Sequence, residues 1–211
     1  MGMSLDGRTA LSNGRSQWIT GPKARMDVQH WRARCAAIIT GSGTVLGDDP
    51  LLTVRQPSSP EAVAPMRVVL DSSARVPAGA QVFNASAPSL HVLHNDTPLP
   101  QAPTAEVLRV DGDIYGLDLH ELLCQLSLRG LHEVMVEAGP TLAGAFLKAG
   151  LVDEVLVYMA PKLLGDLARP LVHMPELVHL KQALDFTLFD VTQLGEDLRL
   201  RLRPVQVAGA P

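Results

Sequence analysis

Short apolar runs alternate with amphipathic stretches along this chain, the pattern expected of an α/β domain. A helical pattern begins at Pro22 in PKARMDVQHWRAR. Thr20 can cap it, Pro22 suits its first turn, and Met26, Val28 and Trp31 supply an apolar side against Arg25, Arg32 and Arg34. CAAIITG, residues 35–41, reads as a buried strand, a continuous apolar run ended by glycine. Residues 42–53, SGTVLGDDPLLT, read as a loop or broken turn at the end of that strand, and Pro57 to Pro65 as a surface excursion. MRVVLD (66–71), LHVLH (90–94) and AEVLRV (105–110) are further strands, and the prolines between 95 and 104 make an exposed connection. DLHELLCQLSLRG, 118–130, puts Leu119, Leu122, Leu123 and Leu126 on one helical face, with Gly130 as its stop. HEVMVEAGP is a strand and sharp turn, TLAGAFLKAG (141–150) a small-residue helix, and VDEVLVYMAP (152–161) a strand. DFTLFDVTQLGEDLRLRLRPV, 185–205, alternates on both sides of Leu194–Gly195–Glu196–Asp197, which predicts a C-terminal β-hairpin. Without a repeat or a separating linker, the expectation is one domain over 1–211.

Composition narrows the class. Of 211 residues, 46% are hydrophobic and 19% charged, enough apolar surface for a core and too little charge for a disordered chain. The formal net charge of −4 argues against a nucleic-acid coat. No apolar run reaches the roughly 18 residues a membrane span needs, and MGMSLDGR has no secretory pattern. Cys35 and Cys124 fit no disulfide framework or metal spacing, so a cytoplasmic enzyme is expected.

Polar residues gather in three places, at the strand ends where open α/β sheets carry their ligands. The first holds Ser4, Asp6, Gly7, Ser16, Trp18 and Thr20; the tryptophan either stacks on a flat ring or closes the edge of the core. The second is TGSGTVLGDDP, 40–50. Gly41, Gly43 and Gly47 allow positive φ or close backbone approach, and successive amides there suit a pyrophosphate; a plain tight turn explains them equally. Of Asp48 and Asp49, one can cap the turn at Pro50 and one can hold sugar hydroxyls or move a proton. Arg32 and Arg55 flank this run, and the guanidinium fork suits a phosphate monoester, although either can be a solvated surface group. The third is VEAGPTLAG, 136–144, where Glu137 closes a strand, Gly139 and Pro140 turn, and Thr141 opens a helix whose first amides favour anions.

Other chemistries lack their residues. GSGTVLG misses the G-x-G-x-x-G spacing, and no Gly-Lys-Ser/Thr is present. The H-x-E and P-C-x-x-C of zinc deaminases and the G-x-S-x-G elbow are missing from these residues. His91 and His94 are three apart on a strand and face opposite sides, a poor metal pair, so no metal site is expected.

MSLDGRTA, SQWITGPKAR, TGSGTVLGDDPLLTVR, VEAGPTLAGAFLKAGLVDE and YMAPKLLG, in that order, resemble the reductase domain of the riboflavin-biosynthesis deaminase/reductase family. The resemblance runs from residue 1 to about 203. It is weak over 56–131, where only RVVLDSSARVP matches clearly. It implies a dihydrofolate-reductase-like three-layer α/β fold, with a mainly parallel central sheet and a C-terminal antiparallel hairpin. It also implies NADPH-dependent reduction of 5-amino-6-(5-phosphoribosylamino)uracil to the phosphoribitylamino compound, with hydride delivered to ribose C1′. On the substrate side the family pattern falls on Ser16, Arg32, Asp48, Leu51, Arg55, Glu137 and Gly139, with Asp48 as the catalytic carboxylate. On the cofactor side it falls on Gly2, Trp18, Thr44 and Ser72 and on the turn Gly139–Pro140–Thr141. A homodimer in the cytoplasm is implied as well.

Family members usually carry several residues before MSLDG, as an extended strand with a lysine, and many carry an N-terminal zinc deaminase domain. The expectation is therefore that the first strand is truncated here and that the deaminase activity comes from a missing domain or a separate protein. Two other readings stand beside this one. One is a reductase of the same fold acting on a pterin or another carbonyl compound. The other is a non-enzymatic, degenerate or truncated binding or dimerisation module.

Overall fold

The computed structural model describes residues 1–55, 63–100, 104–113 and 116–205. The surface excursion expected at 57–65 lies outside the described residues over 57–62, and the connection at 95–104 does so over 101–103. In chain order the elements are β1 (Gly2–Ser4), β2 (Arg8–Ala10), α1 (Pro22–Arg34), β3 (Ala37–Gly41), α2 (Ser42–Asp48), β4 (Met66–Leu70), β5 (Ser89–His94) and β6 (Glu106–Val110). They continue with β7 (Gly112–Asp113), β8 (Gly116–Leu117), α3 (Leu119–Leu128), β9 (Val134–Val136), α4 (Pro140–Lys148), β10 (Val155–Ala160), β11 (Arg169–Pro170), β12 (Phe186–Leu194) and β13 (Asp197–Pro204). The chain divides into two compact units, Met1–Asp27 with Ala143–Pro211, and Val28–Leu142. No helix among the described residues is long and apolar enough to cross a membrane.

The unit Val28–Leu142 is built on a fully parallel sheet in the order β6-β5-β4-β3-β9. Parallel strands are buried on both faces, which is why β3, β4 and β5 read as unbroken apolar runs. Ile38, Val69, Val82 and Phe83 form one core cluster with Val45 of α2 and Leu52. Helix α3 starts at Asp118, whose side chain accepts from the amide of Glu121 at 2.9 Å, and buries Leu122 and Leu126. Gly130 at φ +78° ends it, with the amide of Leu131 bonded to the carbonyl of Leu126.

The other unit holds a four-stranded sheet in the order β1-β10-β13-β12, with β1 parallel to β10 and the rest antiparallel. The hairpin turns where the alternation breaks, with Leu194 opposite Asp197 and Gly195 at φ +73°. Arg199 links it inward, 3.1 Å from Asp27 and 3.0 Å from Asp190, while the hydroxyl of Tyr158 donates to Asp27 at 2.8 Å.

Two expectations change. Residues 42–48 form helix α2 rather than a loop, although two glycines give them poor helix propensity. Burial of Val45 in the core supplies what propensity does not. Consequently Gly41, Gly43 and Gly47 keep negative φ, and the left-handed positions fall instead at Asp49 (φ 41°) and Leu52 (φ 50°). On α1, Met26 is exposed, and the covered side consists of buried Ala24 with half-buried Val28 and Trp31.

Candidate active site

In the unit Val28–Leu142, two of the predicted site residues, Arg32 and Glu137, meet beside β3 and β9. The amide of Glu137, just past β9, donates to the carbonyl of Ile39 at 2.8 Å. Its carboxylate is thereby set against the last turn of α1, where Arg32 grips it two-pronged: Nε to Oε1 at 2.6 Å and Nη2 to Oε2 at 2.7 Å. Both side chains are largely buried. Burial disfavours the Arg32 cation, but Glu137 outweighs it and raises the arginine's pKa. The remaining nitrogen, Nη1, donates to the carbonyl of Thr53 at 3.0 Å, and Gln29 accepts from the amide of Arg55 at 3.0 Å. The segment after α2 is thus tied to α1 at two points.

The two neighbouring aspartates part company. Asp49 caps α2 in the left-handed conformation, and its carboxylate accepts from the amide of Gln81 at 2.8 Å and from Gln81 Nε2 at 3.0 Å. The Gln81 amide, then its side chain, hold Asp49 below the usual carboxylate pKa. Asp48 is exposed at the end of α2 and makes no hydrogen bond or ion pair among the described residues. The Arg55 guanidinium is likewise exposed and unpartnered among them. Leu51 is partly exposed, whereas Leu52 is buried in the core.

Thr44 lies on α2, and its hydroxyl stands 4.0 Å from where a Cβ on Gly139 would be. Gly139 leads into α4, with Pro140 as first residue and Thr141 exposed in its first turn. Ser72 is exposed beyond β4, and its carbonyl accepts from the hydroxyl of Thr97.

Gly2, Ser16 and Trp18 belong to the other unit. Gly2 pairs with Tyr158 across β1 and β10. Ser16 is half-buried, with its carbonyl accepting from the amide of Ile19 at 3.1 Å. Trp18 is exposed rather than closing a core edge, with the Arg25 guanidinium 4.4 Å over its ring. Ser4 and Asp6 have a structural part. Asp6 accepts from Ser4 and from the amides of Gly165 (2.8 Å) and Leu164, which lowers its pKa to about 2.

Several residues around the site were not singled out from the sequence. Asp71, at the end of β4, is buried, accepts from the amide of Val76 at 2.8 Å and lies 3.1 Å from Nε2 of His91. Burial opposes its charge, but the bonds from His91, Val76 and Arg75 prevail and keep its pKa below the usual range. Arg75 reaches Ser42 Oγ at 2.8 Å. Gln81 and Gln29 carry no signal of their own in the sequence. The one signal available was the charge at each end of the apolar run in MRVVLD.

Known proteins resemble this chain in sequence and fold. The family model described as RibD C-terminal domain matches residues 1–200. Riboflavin biosynthesis protein RibD of Escherichia coli (strain K12) is 42% identical over 212 residues, covering 96% of this chain and 58% of that protein. The chain therefore spans a little over half the length of the RibD relatives it matches. A protein of Buchnera aphidicola subsp. Acyrthosiphon pisum named 5-amino-6-(5-phosphoribosylamino)uracil reductase is 33% identical, with 93% of this chain matched to 100% of it. The solved RibD of Acinetobacter baumannii, form 1, superimposes with a TM-score of 0.86 at 40% identity over 98% of this chain and 57% of that one. The α/β class with a parallel sheet and a C-terminal antiparallel hairpin agrees with the fold the sequence resemblance implied. The chain belongs to the RibD C-terminal domain family.

Proposed function

We propose that this chain is a 5-amino-6-(5-phosphoribosylamino)uracil reductase of riboflavin biosynthesis that uses NADPH. The observation that carries the reading is the contrast along residues 48–55. Asp48 and Arg55 offer a carboxylate and a guanidinium without partners among the described residues, while the Asp49 carboxylate serves Gln81 and Arg32 is held by Glu137. A phosphorylated sugar needs such a pair: a cation for its phosphate and an acceptor for its hydroxyls. The full-length match to the Buchnera reductase supports the same assignment.

In this reading Arg55 receives the phosphate, and Arg32, fixed by Glu137, stands as the second cation of that region. Asp48 accepts hydrogen bonds from the ribose hydroxyls beside C1′. Ser16, Leu51, Glu137 and Gly139 complete the substrate side. Gly2, Trp18, Thr44, Ser72 and the turn Gly139–Pro140–Thr141 take the cofactor. The first amides of α4, which follow Gly139, favour an anion and support a dinucleotide on this side. When bound, the nicotinamide supplies hydride for C1′ of the ring-opened imine. The protein's own contribution is placement and charge.

The whole chain acts as one cytoplasmic domain and pairs as a homodimer. Exposed Leu188 and Val191 on β12, opposite Leu202 and Leu200 on β13, give the partner an apolar surface. Deamination of the precursor is supplied by another domain or protein.

The test compares turnover of the aminouracil substrate with and without its 5′-phosphate, followed by NADPH consumption. The reading expects the phosphorylated form to be favoured by at least about 100-fold in kcat/KM, the scale of a lost charge-assisted contact. Equal turnover of both, or preference for a neutral pterin, would overturn it.

A further inference from the structure

Strand β4 carries an arginine amid apolar neighbours. Arg67 is fully buried, paired through its backbone with Ile38 on one side and Ser89 on the other. No carboxylate pairs with it among the described residues. Its partners are neutral: the Asn84 carbonyl at 2.5 Å, Asn84 Oδ1 at 3.0 Å, the Ala87 carbonyl, Ser86 Oγ at 3.5 Å, and the carbonyls of Leu51 at 3.4 Å and Gln81 at 3.5 Å. A buried cation without a counter-ion is a costly occupant for a strand that an apolar residue would fill.

The fork reaches two segments of the chain. It joins the loop after β4 to the segment that follows α2. Gln81 ties the same two pieces together farther along, through Asp49. With Arg32 on Thr53 and Gln29 on Arg55, the segment is gripped at alternate residues: Asp49, Leu51, Thr53 and Arg55. A run held at every second residue has little freedom to wander, so Asp48 and Arg55, unpartnered among the described residues, keep a set spacing.

We propose that Arg67 is a positioning residue for the substrate site, acting from inside the core through the Leu51 carbonyl and the 81–87 loop. The inference rests on the reading of 48–55 as the substrate-holding segment.

The test uses the full chain with Arg67→Lys, Arg67→Met and Asn84→Ala, the last removing the Oδ1 that accepts from Arg67 and from the amide and hydroxyl of Ser86. Melting, cofactor affinity, amide hydrogen exchange over 49–55, and kcat and KM per folded molecule are measured for each. The proposal expects faster exchange over 49–55 and a kcat/KM about tenfold or more below wild type for Arg67→Lys. It expects a smaller loss in the same direction for Asn84→Ala and cofactor affinity within about twofold of wild type for both. Arg67→Met should be worse than Arg67→Lys; if it does not fold, the other two variants decide. Variants that melt earlier yet keep wild-type exchange over 49–55 and wild-type kcat/KM would overturn it, leaving Arg67 a purely structural residue. Turnover by the unmodified chain reports separately on the proposed function, and hydrogen exchange needs no substrate.

Discussion

Asp48→Asn keeps the shape of the side chain and removes its charge. If Asp48 holds the sugar beside C1′, single-turnover reduction should slow by about 100-fold or more, with NADPH binding and melting near wild type. Asp49→Asn should do the reverse, because the Asp49 carboxylate serves Gln81 and the end of α2. It should lower the melting temperature and change the single-turnover rate far less. Rate, cofactor titration and melting curve for the pair separate a catalytic carboxylate from a structural one. Asp71 gives a pH test. Its folded pKa lies below that of an ordinary aspartate, so its contribution is present above the ordinary value and is lost as pH falls through the folded one. Asp71→Asn should melt earlier than wild type at neutral pH, by about 1–3 kcal/mol for a buried bond to a charged group, and the two curves should converge in acid. At this scale the sequence showed the candidates but not their partners. Asp49 and Gln81 are 32 residues apart, Asp71 and His91 are 20 apart, and Arg32 and Glu137 are 105 apart. Such pairings arise only when the sheet aligns its strands.

Elements declared themselves according to how they are buried. The parallel strands β3, β4 and β5 read as apolar runs because both of their faces are covered. Hairpin β12–β13 read from its alternation and its glycine turn. Helix α2 did not, since its formation depends on the core receiving Val45. Strands β1 and β2, three residues each, are too short to show a period and are set by their partners β10 and β11. Helix α4 contains a position the helix pattern alone would not flag. A Cβ on Gly144 would collide with the carbonyl oxygen of His173. Gly144→Ala should therefore destabilise the protein by about 1–3 kcal/mol, the scale of overpacking, despite alanine's better helix propensity. Chemical denaturation of the variant beside wild type measures it; a more stable variant would show that this approach is loose.

For the molecule as a whole, sedimentation at micromolar concentration should give about twice the 22.6 kDa of one chain. Leu188→Asp should shift the mass toward one chain if β12 forms the contact. The central claim, reduction of a phosphorylated ribosylaminouracil at C1′ by NADPH, is tested most directly by isotope transfer. The chain is incubated with the substrate and NADPH carrying deuterium at both C4 positions of the nicotinamide, and the product is examined by mass and by NMR. The account predicts one deuterium per product molecule, located at C1′ of the ribityl chain. An unlabelled product, label at any other carbon, or no product from a folded protein that binds NADPH would contradict it.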